Sequence, residues 1–354
     1  MQAKYAKVVE WVKQQIEINN LKNGDKFYSE GELMEIFSIS RQTVRQAVGV
    51  LEYENILERR QGVGTFVSTQ NAGGARRSIG VLLGFIGYVN SEILHGIESV
   101  LLKNDYSIQL ALSEYEIEIE YKALRSFIES GVKGIILDPA RSRLFNPRSY
   151  ILDEIKERGI HLIYLGGYHE GRAFPYVSMD DVAAGRLATE YLIAAGHKKI
   201  AGFFVSDVVQ GALRFQGYVE ALFAAAMPYT PWQTLWYTNE DEIELFKGSE
   251  RLFKRLEGCT AVVCYNDRLA AHLVDVLTSA GFNVPQDISI IGMDNTDIAA
   301  LCKVPLTTVV HPKAKLGRLI AKNMLETIDN PGYNATSLIK PRIIQRESVT
   351  KLED

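Results

Sequence analysis

A chain of 354 residues, 47% of them hydrophobic and 23% charged, has the length for two or three domains and the composition of an ordinary soluble globular protein. Its longest apolar run, residues 79–89, is broken by glycines and falls well short of the roughly 20 residues of a spanning helix, and the N-terminal residues lack the apolar core and cleavage site of a signal peptide, so a cytoplasmic protein without membrane contact is expected. A formal net charge of −4 excludes a surface coated in positive charge, so any nucleic-acid contact has to come from a local patch.

In chain order, Tyr5, Val8, Val9, Val12 and Ile16 recur with helical spacing and predict a first helix ending near Asn19-Asn20. Ser29-Glu30-Gly31-Glu32 has the form of a capping box and opens a second helix carrying Leu33, Met34, Ile36 and Phe37. Ser38-Ile39 makes a short turn, Ser40 is a natural N-cap, and a third helix follows. On that helix Val44, Ala47, Val48 and Leu51 form one apolar stripe, while Arg41, Gln42 and Arg45 face the other way. Such a helix can offer its arginines and amide to base edges and phosphates in a major groove; taken alone, it is equally a solvated polar face. Residues 56–60 and 65–68 then flank Gln61-Gly62-Val63-Gly64, a hairpin signal that completes a winged helix-turn-helix. In such a wing, Arg59, Arg60, Gln61 and the slim Gly62 allow close approach to a duplex. Residues 1–70 hold nine Lys/Arg against nine Asp/Glu, and four of those bases, Arg41, Arg45, Arg59 and Arg60, are grouped in two places.

Gly24-Asp25-Lys26, Ser29-Glu30, Glu32-Leu33, Ser40-Arg41-Gln42-Thr43-Val44-Arg45-Gln46-Ala47 and Gln61-Gly62-Val63-Gly64-Thr65-Phe66-Val67 form an ordered series that resembles the GntR-type winged-helix domain over its whole length. The resemblance implies that Arg41 and Arg45 contact double-stranded operator DNA, supported by Glu30, Gln42, Thr43 and the wing residues Gln61 and Gly62. The chain departs from the family pattern at Tyr28 and Gly31, where Pro and Arg are usual.

The first domain is therefore placed at residues 1–69. Residues 70–77, small and polar without apolar periodicity, read as a flexible linker. From residue 78 to 354, short apolar strands alternate with helical segments: 79–85, 108–112, 134–138, 161–165, 199–204, 234–237, 261–264 and 288–292. Alternation of this kind predicts an α/β domain of parallel sheets covered by helices, with too many strands for one small sheet and hence two lobes. Ligands in such folds bind beyond the carboxyl ends of the strands. The polar residues at those ends are Tyr88 and Asn90, Asp138, Gln210, Asn266 and Asp267, and Asp294. Arg214, a turn into the helix after Gln210, adds a planar fork of donors for hydroxyls or a carboxylate. Each of these, taken singly, also suits an ordinary loop or cap. Tyr88, Tyr168, Trp232 and Tyr265 are aromatic residues that stack on a ligand or fill core.

Asp180-Asp181-Val182-Ala183-Ala184-Gly185-Arg186, Gly196-His197-Lys198-Lys199-Ile200, Arg214-Phe215-Gln216-Gly217-Tyr218, Cys264-Tyr265-Asn266-Asp267, the run from Pro285 to Asp294 and Pro305-Leu306-Thr307-Thr308-Val309 resemble the LacI/GalR type of effector-binding domain, akin to periplasmic sugar-binding proteins. That resemblance implies a periplasmic-binding-protein-like fold, a sugar site lined by Arg214, Asp294 and Asn266-Asp267, lobe crossovers near 178–181 and 296–310, and a homodimer. The joining of a GntR-type headpiece to such a domain is similar to the arabinose repressors of Gram-positive bacteria, which implies L-arabinose as effector.

The function expected is a sugar-responsive transcriptional repressor released from its operator by the sugar, with no cofactor and no metal. The same architecture answering another sugar or metabolite is the first alternative. The second, an α/β enzyme, finds no G-x-G-x-x-G after the first strand, no Walker loop, no G-x-S-x-G and no H-E-x-x-H. Cys259, Cys264 and Cys302 form no C-x-x-C pair and read as reduced core residues, and the six histidines pair with no serine or cysteine in a recognised arrangement, so no catalytic residue is expected.

Overall fold

The structure, a computed structural model, describes residues 4–22, 24–53, 56–60, 63–68, 77–238, 241 and 250–352, with Lys4, Glu17, Tyr53 and Tyr88 described in their backbone only. The chain divides into two compact units, Met1–Ser78 and Ile79–Asp354.

In the first unit, α1 (Lys4–Ile18), α2 (Glu30–Phe37) and α3 (Arg41–Tyr53) pack beside a three-stranded antiparallel sheet of order β1-β3-β2, formed by Lys26–Phe27, Gly64–Val67 and Leu57–Arg60. The core is what the helical periodicities require: Val8, Val12, Leu33, Val44, Ala47, Val48 and Leu51 are all fully buried, joined by Phe27, Leu57 and Val67 from the sheet. The capping box at α2 is complete, the Glu32 amide donating to Ser29 Oγ at 3.3 Å and the Ser29 amide to Glu32 Oε2 at 2.7 Å. α2 stops at Ser38, whose left-handed backbone (φ 50°) turns the chain directly into α3. The short strand β1 was not predicted; two residues carry no alternation to read.

The second unit has two lobes, each a six-stranded sheet between helices. In the first lobe, β14 (Ser337–Ile339), β8 (Tyr176–Met179), β7 (His161–Leu165), β6 (Gly134–Leu137) and β4 (Arg77–Leu83) pair in parallel, with β5 (Tyr106–Leu112) at the edge beside β4. Its faces are covered by α4 (Tyr88–Leu101) with α12 (Lys313–Asp329), and by α5 (Ile117–Ser130) with α6 (Tyr150–Glu157). In the second lobe, β10 (Thr234–Tyr237), β9 (Ile200–Val205), β11 (Ala261–Cys264), β12 (Ser289–Asp294) and β13 (Thr307–Val310) pair in parallel, and β15 (Ile343–Ile344) closes the edge antiparallel to β13. Here α7 (Asp181–Ala194) and α8 (Val209–Ala224) cover one face, and α9 (Glu250–Leu256), α10 (Asp267–Ser279) and α11 (Asp297–Leu301) the other.

The chain crosses between lobes three times: after β8 at 179–181, after β13 at 310–313, and between β14 and β15 at 340–342. The second crossing falls just past the stretch 296–310 expected for it, because 307–310 is itself a strand of the second lobe, and the third was not expected at all. Arg77 opens β4 instead of closing a linker, while residues 70–76 lie outside the described residues. Cys259 and Cys264 are buried in the second lobe and Cys302 is half-buried, all three unbridged. Among the described residues no helix is long and apolar enough to cross a membrane.

Candidate nucleic-acid interface and effector cleft

The headpiece builds its charged face from α2, α3 and the wing. The buried stripe of α3 fixes its rotation, and that leaves Arg41 and Arg45 with side chains 66% and 59% exposed. Both bond through Nε to one oxygen of Glu30, at 3.4 and 3.2 Å, and Arg59 of the wing donates to its other oxygen at 2.9 Å. Arg59 also bridges to Glu52, and Arg60 lies 4.7 Å over the Phe66 ring. Partial burial of Glu30 works to raise its pKa, but Arg45, Arg41 and Arg59 together pull it below the ordinary carboxylate value, so it stays ionised. Glu30 thereby ties the third helix to the wing and holds three cations on one face. Arg59, read from the sequence as allowing close approach to a duplex, is exposed and bonded to these two carboxylates. Gln42 is exposed beside Arg41, and Thr43 shares a 2.9 Å hydrogen bond with Ser40 at the helix start. Gln61 and Gly62 lie outside the described residues.

In the second unit the two lobes enclose a cleft of about 300 Å³ at the carboxyl ends of their strands. Asn90, Asp138, Gln210, Asn266 and Asp294, predicted at strand ends, and Arg214, predicted on the helix after Gln210, all line it. Arg214 is the centre of its second-lobe wall. Its Nε donates to Asp181 Oδ1 at 2.7 Å, one terminal nitrogen donates to the Tyr265 carbonyl, and the other reaches Asp294 Oδ1 at 3.5 Å. Its guanidinium lies 4.6 Å over the Tyr265 ring. Burial disfavours this cation, but the carboxylates of Asp181 and Asp294 outweigh burial and raise its pKa, so Arg214 is a fixed positive charge. Asp294, the last residue of β12, has a strained φ of 103°.

The first-lobe wall carries Asp138, whose Oδ2 accepts the Gly84 amide at 3.0 Å. Burial raises its pKa from 3.8 to about 7, Glu120 adds to the rise, and the Gly84 amide opposes it. Asn90 bonds the Phe85 carbonyl at 2.8 Å, and Tyr115 is turned into the cleft by a pair of left-handed residues, Glu114 and Tyr115 (φ 52° and 58°). Gln210, at the start of α8, has its Oε1 buried without a hydrogen-bond partner among the described residues.

Asp267 departs from the expected set. It is fully buried, accepts the Thr296 amide at 2.8 Å and the hydroxyls of Thr296 and Thr308 at 3.1 and 2.6 Å, and fastens the loop after β12 without lining the cleft. Its neighbour Asn266 caps α10 through the Leu269 amide and does line it. The side chain of Tyr88 lies outside the described residues. Of the aromatic candidates, Tyr265 faces the cleft, Tyr168 packs on Tyr176, and Trp232 sits under Arg255 on the surface. Sequence reasoning missed Asp181, Tyr115, Arg268 and His311, which line the cleft as well; Asp181 and His311 stood at the edges of motifs already read, and Tyr115 had no local signal. Among the described residues no group of three or more His, Cys, Asp or Glu side chains is placed to hold a metal ion.

Comparison with known proteins bears on both units. The family model of bacterial regulatory proteins of the gntR family matches residues 4–67, and that of the periplasmic binding protein-like domain matches residues 189–349. The crystal structure of the transcription regulator CcpA of Lactococcus lactis is 26% identical with a TM-score of 0.69, covering 77% of this chain and 99% of its own. Fold and site together define a DNA-binding transcriptional regulator with a ligand-binding domain. The arabinose metabolism transcriptional repressor of Geobacillus stearothermophilus is 32% identical over 99% of this chain and 98% of its own length, and that of Halalkalibacterium halodurans is 29% identical over the same shares. The chain belongs to this family of transcriptional repressors, and not to the enzymes that alternating strands and helices also build.

Proposed function

We propose that the cleft binds a neutral pentose, L-arabinose, and that binding releases the protein from operator DNA. The observation that carries this reading is the buried Arg214, clamped between Asp181 and Asp294 over the Tyr265 ring, with a fork of donors fixed at the wall of the cleft. A volume of about 300 Å³ is at the small end for ligand pockets and suits a monosaccharide. Asp138, Asp181 and Asp294 against Arg214 and Arg268 disfavour a ligand that brings further negative charge. Asn90 and Asp138 hold the sugar from the first lobe, and Gln210, Arg214, Asn266 and Asp294 from the second, so the closed arrangement of the lobes binds it better than the open one. That difference in affinity is what a sugar needs to shift the equilibrium.

At the DNA end, Arg41, Gln42, Thr43 and Arg45 enter a major groove, positioned by Glu30, while Gln61 and Gly62 of the wing approach the backbone. The chain works as a homodimer in the cytoplasm, each headpiece on one half of a palindromic site. The cycle calls for no cofactor besides the effector.

Calorimetry tests the effector reading. Wild-type protein should bind L-arabinose and Arg214→Ala should show no measurable binding while keeping the wild-type far-UV spectrum; wild-type affinity in the variant would place the sugar elsewhere. A panel with D-ribose, D-xylose and D-galactose distinguishes L-arabinose from another sugar at the same cleft.

A further inference from the structure

The second crossing between the lobes carries a residue whose chemistry the preceding sections leave unused. His311 follows Val310, the last residue of β13, and precedes Pro312 and α12, so it stands on the segment that leaves the second lobe and enters the first. It lines the cleft together with Arg214 and Asp294. Its Nδ1 is buried and has no hydrogen-bond partner among the described residues, although buried polar atoms are rarely left so. Two residues on, Lys313 Nζ bonds the Asn295 carbonyl of the second lobe at 2.9 Å and Glu92 of the first at 3.2 Å, so the backbone around His311 is pinned to both lobes.

We propose that His311 is an effector-contacting residue: its Nδ1 exchanges one hydrogen bond with a single hydroxyl of the sugar, and so ties ligand occupancy to the segment joining the lobes. Burial pushes the ring down to about 4, so it meets the hydroxyl as a neutral imidazole able to accept or donate one bond. The inference rests on the cleft being the sugar site.

Calorimetry with L-arabinose and its monodeoxy derivatives tests it on wild type, His311→Leu and His311→Asn. The leucine variant should lose roughly ten- to a hundredfold in affinity, the worth of one buried hydrogen bond left unmade, and the asparagine variant, which keeps a polar atom near the Nδ1 position, should recover most of it. One monodeoxy sugar should be penalised in wild type but not further in His311→Leu, while the others are penalised alike in both. In the unsubstituted chain, the Nδ1 resonance of His311 should shift on adding L-arabinose. Wild-type affinity in His311→Leu, or an unmoved Nδ1 resonance in a chain that binds the sugar, overturns the role of His311 alone. A wild-type chain that binds no L-arabinose overturns the sugar reading and this inference with it.

Discussion

Asn266 and Asp267 are adjacent in sequence and opposite in employment. The asparagine caps α10 and borders the cleft, while the aspartate turns inward to Thr296 and Thr308. Sequence alone placed both at a strand end and gave no reason to separate them, because the direction of a side chain at a helix N-terminus depends on a loop some 30 residues further on. The arginines of the third helix were more legible, since the stripe Val44, Ala47, Val48 and Leu51 leaves them only one way to face. Arg45→Ala should cost operator affinity about 1–3 kcal/mol if it reads a base; a gel-shift series at fixed salt showing no change would remove it from the interface. Asp138 makes a prediction for pH. With its pKa raised from 3.8 to about 7, the folded chain holds this proton more tightly than the unfolded one, so its contribution to stability is complete below about pH 4 and is lost as pH rises towards 7. Asp138→Asn keeps an acceptor for the Gly84 amide and cannot ionise. Its urea midpoint should therefore fall less between pH 5 and pH 8 than that of wild type, whereas parallel curves would show that Asp138 does not carry the shift.

At the scale of elements, the clamp on Arg214 depends on how closely α7 and α8 approach. A Cβ added at Gly185 would stand 1.9 Å from the Arg214 carbonyl oxygen, and one at Gly217 1.9 Å from the Val182 carbonyl oxygen, so the two glycines let backbone meet backbone. That contact brings Asp181 on α7 within reach of Arg214 on α8. Gly217→Ala should force the helices apart, costing about 1–3 kcal/mol or more of stability by overpacking and weakening sugar binding in step. Full stability and full affinity in calorimetry and thermal melting would mean that the close approach is dispensable. The eight strands read from the sequence of the second unit are all present within a few residues, because each is a compact apolar run between breakers. The missed strands of the second unit, β8, β13, β14 and β15, are short, and β14 pairs with a strand more than 150 residues earlier, through Ser337 with Val177. Such pairing leaves no local periodicity. Gly31, where a related headpiece would carry Arg, has only Ser29 Oγ at 3.9 Å from an added Cβ, so the fold itself leaves room for a side chain there.

For the whole molecule, alternation of strands and helices was enough to foresee two lobes, and the ordered motifs were enough to foresee the family. What the sequence did not reveal is how the lobes are joined: three crossings, at 179–181, 310–313 and 340–342, bring Asp181 and His311 to the cleft from the joining segments themselves. A ligand held by both lobes and touching two of the joining segments is well placed to change the relation between the lobes. Occupancy of this cleft should then be felt at the operator, with a coupling of the size that allosteric sites commonly show. The most direct measurement selects a duplex from a random pool with the full chain and titrates the complex with L-arabinose at fixed salt. Saturating sugar should weaken binding of the selected duplex by about five- to 150-fold, and the same titration on Arg214→Ala should leave its affinity unmoved. A wild-type chain that binds L-arabinose in the cleft yet holds the duplex with undiminished affinity would contradict release of the operator by the sugar.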